Sequence, residues 1–183
     1  MTPRLASLSE VEARAWQELA RAAGDKQHEW RTPVLATVNA ETVDARTVIL
    51  REVDVHRRQL TFFTDERAGK VAQLQRNPLA AMVMWSANLG WQLRCRIVLS
   101  IETPGLAATS RWARIRLTPA AQDYLWPLAP GTPLNDSQDT PQAPELPARK
   151  PTYFTVVTAQ VLSILRGLRR PRGTSTRLPQ SRS

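Results

Sequence analysis

The sequence is short of the groups on which most reactions are built. Among 183 residues there is one cysteine, Cys95, and two histidines, His28 and His56. A lone thiol forms no internal disulfide, which fits a reducing compartment, and Cys95 inside an apolar run reads as a core residue rather than a nucleophile. Two separated histidines with one cysteine do not reach zinc-site spacing, so no metal is expected. No glycine-rich dinucleotide fingerprint or P-loop occurs, and no nucleophile–base pair stands out. No apolar run approaches the roughly 18 residues of a membrane helix. Pro3, Arg4, Ser7 and Glu10 stand where a leader peptide would have an unbroken apolar core. The expected location is the cytoplasm, with no membrane partner.

Charge is plentiful but unevenly placed. The net charge is +9, and Arg166, Arg169, Arg170, Arg172, Arg177 and Arg182 carry six of those charges in a stretch without acids. The remaining chain is nearly balanced. No aromatic residue is interleaved with these arginines, so a nucleic-acid arm is the weaker reading and a solvated, disordered tail over 166–183 the stronger. The length and an ordinary 42% hydrophobic fraction predict one domain over 1–165.

Along that domain, Ser7 with Glu10 and Ser9 with Glu12 form two overlapping capping boxes ahead of Trp16, Leu19, Ala20 and Ala23 at helical spacing. They predict a helix over 8–23. From Val34 the period changes: Val34–Val38 and the Val/Ile/Thr-rich Val43–Val53 read as a hairpin, and Leu60–Thr64 as a third strand. A short helix over Gly69–Gln75 is stopped by Asn77-Pro78, since proline disfavours helix at the residue before it. Ala80–Trp85 and Trp91–Ile101 read as strands, Leu106–Arg114 and Pro119–Trp126 as weak helices, proline-rich 127–151 as an extended loop, and Tyr153–Leu165 as the closing strand. Many short strands with few helices predict a mainly β (α+β) fold, an antiparallel split β-barrel of Greek-key type.

The residues with chemistry to offer are basic. A phosphate is best met by the planar fork of arginine, by lysine, and by amides at a helix start. Arg46 and Arg51 lie on the predicted second strand, and Lys70 opens the short helix after the small pair Ala68-Gly69, with Arg67 close by. Positions 46 and 51 differ by an odd number and so point to opposite faces of a regular strand. They need a bulge, a twist, or separate parts of one ligand. Gln92, following a tight turn, offers both donor and acceptor to a heterocyclic edge such as a flavin pyrimidine ring.

As an ordered set, Arg46-Thr-Val-Ile-Leu-Arg51, Phe62-Phe63-Thr64-Asp65 with Ala68-Gly69-Lys70, Gln73 to Pro78, and Trp85 with Trp91-Gln92-Leu93 resemble the pyridoxamine 5′-phosphate oxidase-like, FMN-binding split-barrel family. The resemblance implies FMN as cofactor, at the interface of a homodimer. It implies cofactor contacts from Arg46, Val48, Ile49, Leu50, Arg51, Phe63, Thr64, Arg67, Lys70 and Gln92, with Arg46, Arg51 and Lys70 on the phosphate and Gln92 near the ring. The family's Ser-Arg before the lysine is Ala68-Gly69 here, and its C-terminal Arg and His segment has no counterpart. The implied function is an FMN-dependent oxidoreductase taking hydride from a small substrate, pyridoxamine or pyridoxine 5′-phosphate being the best-known type. The alternative is a non-catalytic flavin-binding or stress-related split barrel.

Overall fold

The structure is a computed structural model that describes residues 7–39, 42–102, 105–124, 130 and 153–168. It opens with helix α1, Leu8–Gly24. Of the two possible capping boxes the chain uses the first: Ser7 Oγ accepts from Glu10 N at 3.2 Å while the Glu10 carboxylate accepts from Ser7 N at 3.3 Å. A 3-10 turn, Glu29–Arg31, leads into seven strands: β1 Val34–Asn39, β2 Thr42–Thr47, β3 Leu50–Asp54, β4 Gln59–Asp65, β5 Leu79–Ser86, β6 Trp91–Ile101 and β7 Phe154–Leu168. Helix α2, Gly69–Arg76, ends at Asn77 as the proline demands, and α3 spans Leu106–Ile115. A 3-10 turn, Pro119–Tyr124, stands where the second weak helix is expected.

All seven strands form one sheet in the order β2-β1-β5-β6-β7-β4-β3, with every pair antiparallel. The two edge strands, β2 and β3, are consecutive in the chain. Thr47 and Leu50 are three residues apart, so the edges lie within about 11 Å of each other at full extension. A seven-stranded sheet whose edges are held that close must curl on itself, which is the split barrel. Inside it pack Leu35, Leu50, Leu60, Phe62, Met82, Met84, Leu93, Cys95 and Ile97, plugged by Trp16, Leu19 and Trp30 from the N-terminal segment. A second, smaller core forms outside the barrel, where Trp112 and Ile115 of α3 meet Tyr124, Phe154 and Val156.

Two boundaries differ from the sequence reading. The expected strand Val43–Val53 is broken at Val48–Ile49, where the β1–β2 ladder ends: Val48 N still donates in register to Pro33 O at 2.9 Å, but proline has no N–H to return. This break makes β2 and β3 opposite edges rather than one strand. The closing strand also runs three residues into the stretch assigned to a tail. Arg166 belongs to β7 and stacks on Trp91, its guanidinium carbon 3.6 Å from the ring centroid. The rest of that tail, 169–183, and most of the proline-rich loop lie outside the described residues. No described helix is long and apolar enough to cross a membrane.

Candidate functional site

Arg46 leaves β2 on the row shared with Leu35 and Met82, the barrel's inner face. There α2 packs across β1, and Gln73 becomes the organising group. Its amide nitrogen donates to Asp44 Oδ2 at 3.0 Å, and its oxygen accepts from Thr37 Oγ1 at 2.5 Å and Arg46 Nη2 at 3.0 Å. Arg46 Nη1 also donates to Thr37 Oγ1, at 2.5 Å, and the guanidinium pairs with Asp44. The Asp44 carboxyl is held below its ordinary range, first by the Gln73 amide and then by Arg46, with a smaller part from Lys70. Periodicity marks Arg46 but not Thr37, Asp44 or Gln73, whose partnership links sites far apart in sequence.

Lys70 stands in the first turn of α2 beside this cluster. It makes no hydrogen bond or ion pair among the described residues. Burial, then the nearby Arg46, lowers its pKa, with Asp65 and Asp44 only partly opposing. The helix start has no side-chain cap at Ala68, and a Cβ built on Gly69 would meet no atom within 4 Å. An unpaired, desolvated ammonium, uncapped amides at a helix N-terminus and open space above them are what a phosphate requires. The donor set at Arg46 and Lys70 fits a phosphate-bearing cofactor.

Arg51 does not join this cluster. The β3–β4 register shifts between Leu50 and Glu52, a bulge that re-aims side chains. Leu50 therefore stays in the core while Arg51 and Glu52 both line an outer cleft of about 440 Å³. Its other walls come from Lys26, Arg31, Phe63, Arg111, Arg114 and Thr118. Arg111 is spent on carboxylates: Nε and Nη2 reach Glu52 at 2.9–3.1 Å, and Nη1 reaches Glu102 at 2.7 Å. Arg51 is not spent. Its Nε and Nη2 are buried without a partner among the described residues, and its guanidinium lies 5.9 Å from the Phe63 ring centroid. Arg31 is anchored by Nη1 to the Ala22 and Ala23 carbonyls at 3.2 and 2.6 Å, and burial followed by the Arg51 charge lowers its pKa. Among the described residues the cleft is thus cationic, and its one acid, Glu52, is already neutralised by Arg111.

Arg67 is likewise committed elsewhere. Nε and Nη2 clasp the buried Asp65 carboxylate at 2.7–3.2 Å, and the guanidinium stacks 3.6 Å from the Tyr153 ring centroid. Thus, of the proposed phosphate ligands, Arg46 and Lys70 come together, Arg51 belongs to the outer cleft, and Arg67 is held by its own turn. Val48 and Leu50 are core side chains, Ile49 is half-buried, and Thr64 is buried with its hydroxyl 3.4 Å from Asp65 O. Val48, Leu50 and Thr64 therefore have backbone rather than side chain to offer a ligand.

Gln92 stands on the opposite face of the sheet from Arg46. It pairs with Trp85, which is 41% exposed, and with Gly167 across β7. A Cβ at 167 would come within 3.3 Å of Gln92 Oε1, so glycine there leaves room for the amide to lie across the strand. Gly167 falls in the stretch that composition assigns to the tail, which hides its part. Among the described residues no cluster of His, Cys, Asp and Glu could hold a metal.

The fold has counterparts among known proteins. Residues 13–101 match the family model for the FMN-binding domain of pyridoxamine 5′-phosphate oxidase. This stretch belongs to the pyridoxamine 5′-phosphate oxidase-like family. The same fold appears in a pyridoxamine 5′-phosphate oxidase-related, FMN-binding protein from Nostoc punctiforme, with 23% identity, 90% of this chain and 86% of that one covered, and a TM-score of 0.65. PhzG of Burkholderia lata, solved with tetrahydrophenazine-1-carboxylic acid, is 16% identical with 85% and 77% covered and a TM-score of 0.65. General stress protein 26 of Bacillus anthracis is 12% identical with 84% and 93% covered and a TM-score of 0.56. No curated protein sequence matches. At these identities the solved structures establish a shared pyridoxamine 5′-phosphate oxidase-like split barrel, and the matched model names FMN as the ligand of the domain.

Proposed function

We propose that this protein is an FMN-dependent oxidoreductase whose substrate is small and anionic. The observation that carries the flavin is Lys70, a desolvated ammonium without a partner at an uncapped helix start, with Arg46 beside it. When bound, FMN supplies the hydride-accepting chemistry, and the chain's own work is binding and orientation. Lys70, Arg46 and the first amides of α2 would hold the phosphate. The Asp44–Gln73–Thr37 network keeps the Arg46 fork from wandering.

The Arg51 cleft supports an anionic substrate. Two buried guanidinium nitrogens without acceptors are costly unless an anion arrives, since an unsatisfied buried donor costs about 1–3 kcal/mol. Arg31, Lys26 and Arg114 add charge, and Phe63 adds an apolar wall. A phosphate or carboxylate on a small, flat substrate suits that surround.

The placement of Gln92 supports a homodimer as part of this reading. Val34, Trp85 and Leu165 are 38%, 41% and 47% exposed on the outer face that carries it, more apolar surface than a solvated sheet face ordinarily shows. A second copy covering that face and reaching the free β2 edge would bring its own Gln92 beside the first chain's phosphate cradle. Purified protein decides the flavin reading: the absorbance of an oxidised flavin, with FMN rather than riboflavin released on denaturation, is expected. A colourless protein that binds neither flavin in titration would overturn it. Light scattering on dilution tests the dimer, which a monomer saturated with FMN would refute.

A further inference from the structure

We propose that the groove between α1 and the free edge of β7 is a second binding site, separate from the phosphate cradle and the Arg51 cleft, and that it takes an apolar carboxylate. The groove exists because β7 outruns one neighbour. It pairs with β6 as far as Leu168 but with β4 only as far as Gln160. Beyond that point the β4 side of the strand is open, and α1 lies across the gap. The resulting space is about 590 Å³, walled by Leu8, Val11 and Glu12 of α1, Arg58, and Ser163 to Arg166 of β7. That volume is within the roughly 300–1,000 Å³ of small-molecule pockets.

Its parting point is built rather than incidental. Arg58 is the described non-glycine residue with positive φ, at 55°. A left-handed arginine costs about 1–2 kcal/mol, and such outliers persist only where their surroundings hold them. Here its carbonyl accepts from Val161 N at 2.9 Å and from the Gln160 amide at 3.4 Å, while its guanidinium pairs with Glu12. This one residue therefore ends the β4–β7 ladder and ties the helix to the strand across the groove.

The chemistry of the walls names the ligand class. Leu8, Val11, Ile164 and Leu165 are apolar, and Leu8 and Leu165 are 88% and 47% exposed. The Glu12–Arg58 pair is neutral as a unit. Among the described residues Arg166 has no carboxylate partner, its Nε is buried without an acceptor, and its guanidinium lies over Trp91, 3.6 Å from the ring centroid. A guanidinium fixed by stacking and lacking an anion is prepared for bidentate capture of a carboxylate. The net charge of the lining is one positive, so a monoanion with an apolar body matches it in both parts.

The test uses the full chain saturated with FMN and labelled at Leu, Val and Ile methyls, titrated with dodecanoate and, separately, dodecanol. Dodecanoate should shift the Leu8, Val11, Ile164 and Leu165 methyls and bind about tenfold or more tighter than the alcohol, as one charge-assisted contact implies. Arg166→Gln should erase that preference. Leu8→Glu, at a position too exposed to affect folding, should weaken both ligands and leave flavin content unchanged. Equal binding of acid and alcohol would overturn the proposal, as would shifts centred elsewhere or competition by added FMN. Movement of the Leu8, Val11 and Ile164 methyls on simple dilution would mark the groove as a contact between copies and overturn it too; Leu165, on the face assigned to the dimer, is left out of that comparison. None of these readings requires the oxidoreductase activity.

Discussion

Replacing Lys70 by alanine isolates the phosphate contact better than any change at Arg46. Arg46 is tied to Thr37, Gln73 and Asp44, so its removal strands three groups and confounds binding with structure. Lys70 has no partner to strand. Hydrogen bonds involving a charged group contribute about 1.5–3 kcal/mol, which is about 10- to 150-fold in Kd. Lys70→Ala should weaken FMN by that factor and leave riboflavin, which has no phosphate, nearly unaffected. The flavin-free variant should melt no lower than the parent, because burial and Arg46 already disfavour the ammonium. The pH dependence has a definite sign. With its pKa lowered in the folded chain, Lys70 binds fewer protons there than in the unfolded chain across the window below the ordinary lysine value, so flavin-free stability rises with pH through that window. A bound phosphate restores the ammonium's partner, so FMN affinity should fall as pH rises through the lowered pKa, and Lys70→Ala should flatten this dependence. Fluorescence titration with FMN and riboflavin across pH measures all of it. Equal parental affinity for the two flavins, or an unchanged FMN affinity in the variant, would refute the reasoning.

Three other outcomes follow from single side chains. Gly167→Val should push Gln92 off β7, because even a Cβ there meets Oε1 at 3.3 Å; the fold should survive by circular dichroism while the absorbance and potential of bound flavin shift. Cys95, whose thiol burial pushes up to about 12, should resist a thiol reagent in native protein and react stoichiometrically in denaturant. Arg111→Gln should leave Glu52 and Glu102 unpaired and lower stability by about 1 kcal/mol, discounted for partial exposure, with added inorganic phosphate bound more weakly in the Arg51 cleft.

The elements that local chemistry specifies were legible from sequence. Ser7 with Glu10 marks the start of α1, Asn77-Pro78 marks the end of α2, and the alternation in Trp91–Ile101 appears as strict in–out burial along β6. What could not be read depends on partners distant in the chain. The break at Val48–Ile49 is invisible within an unbroken β-branched run, since it falls where the partner strand begins at Pro33, which has no N–H to continue the ladder. That break, with the Leu50/Glu52 bulge, sends Arg46 inward and Arg51 outward and so divides one apparent phosphate motif between two places. Arg67 looks available in sequence because nothing in its spacing reveals that Asp65, two residues earlier, has claimed it. Arg31 and Lys26 join the Arg51 cleft from the N-terminal segment, and no motif links them to it. Arg166 and Gly167 were obscured by their arginine-rich neighbours, whose composition resembles a tail.

The opposite facing of Arg46 and Gln92 yields the sharpest test of the shared site. Arg46 shares its face with Leu35 and Met82, whereas Gln92 shares the other with Trp85. One flavin reaching from phosphate cradle to Gln92 in a single chain would have to pass around or through the sheet. A partner chain that reaches the first chain's free β2 edge with its own Gln92 removes that difficulty, and the arrangement can be tested by complementation. In a heterodimer of one Lys70→Ala chain and one Gln92→Ala chain, a site made in trans combines both defects once and neither defect once. The heterodimer should then bind one FMN per two chains with parental affinity, though each homodimer binds weakly or abnormally. If both groups serve a flavin within one chain, every site carries one defect and no parental site appears. Isolating the heterodimer with two affinity tags and counting high-affinity FMN distinguishes the two cases, and the absence of that single restored site would show that Gln92 does not act across the interface.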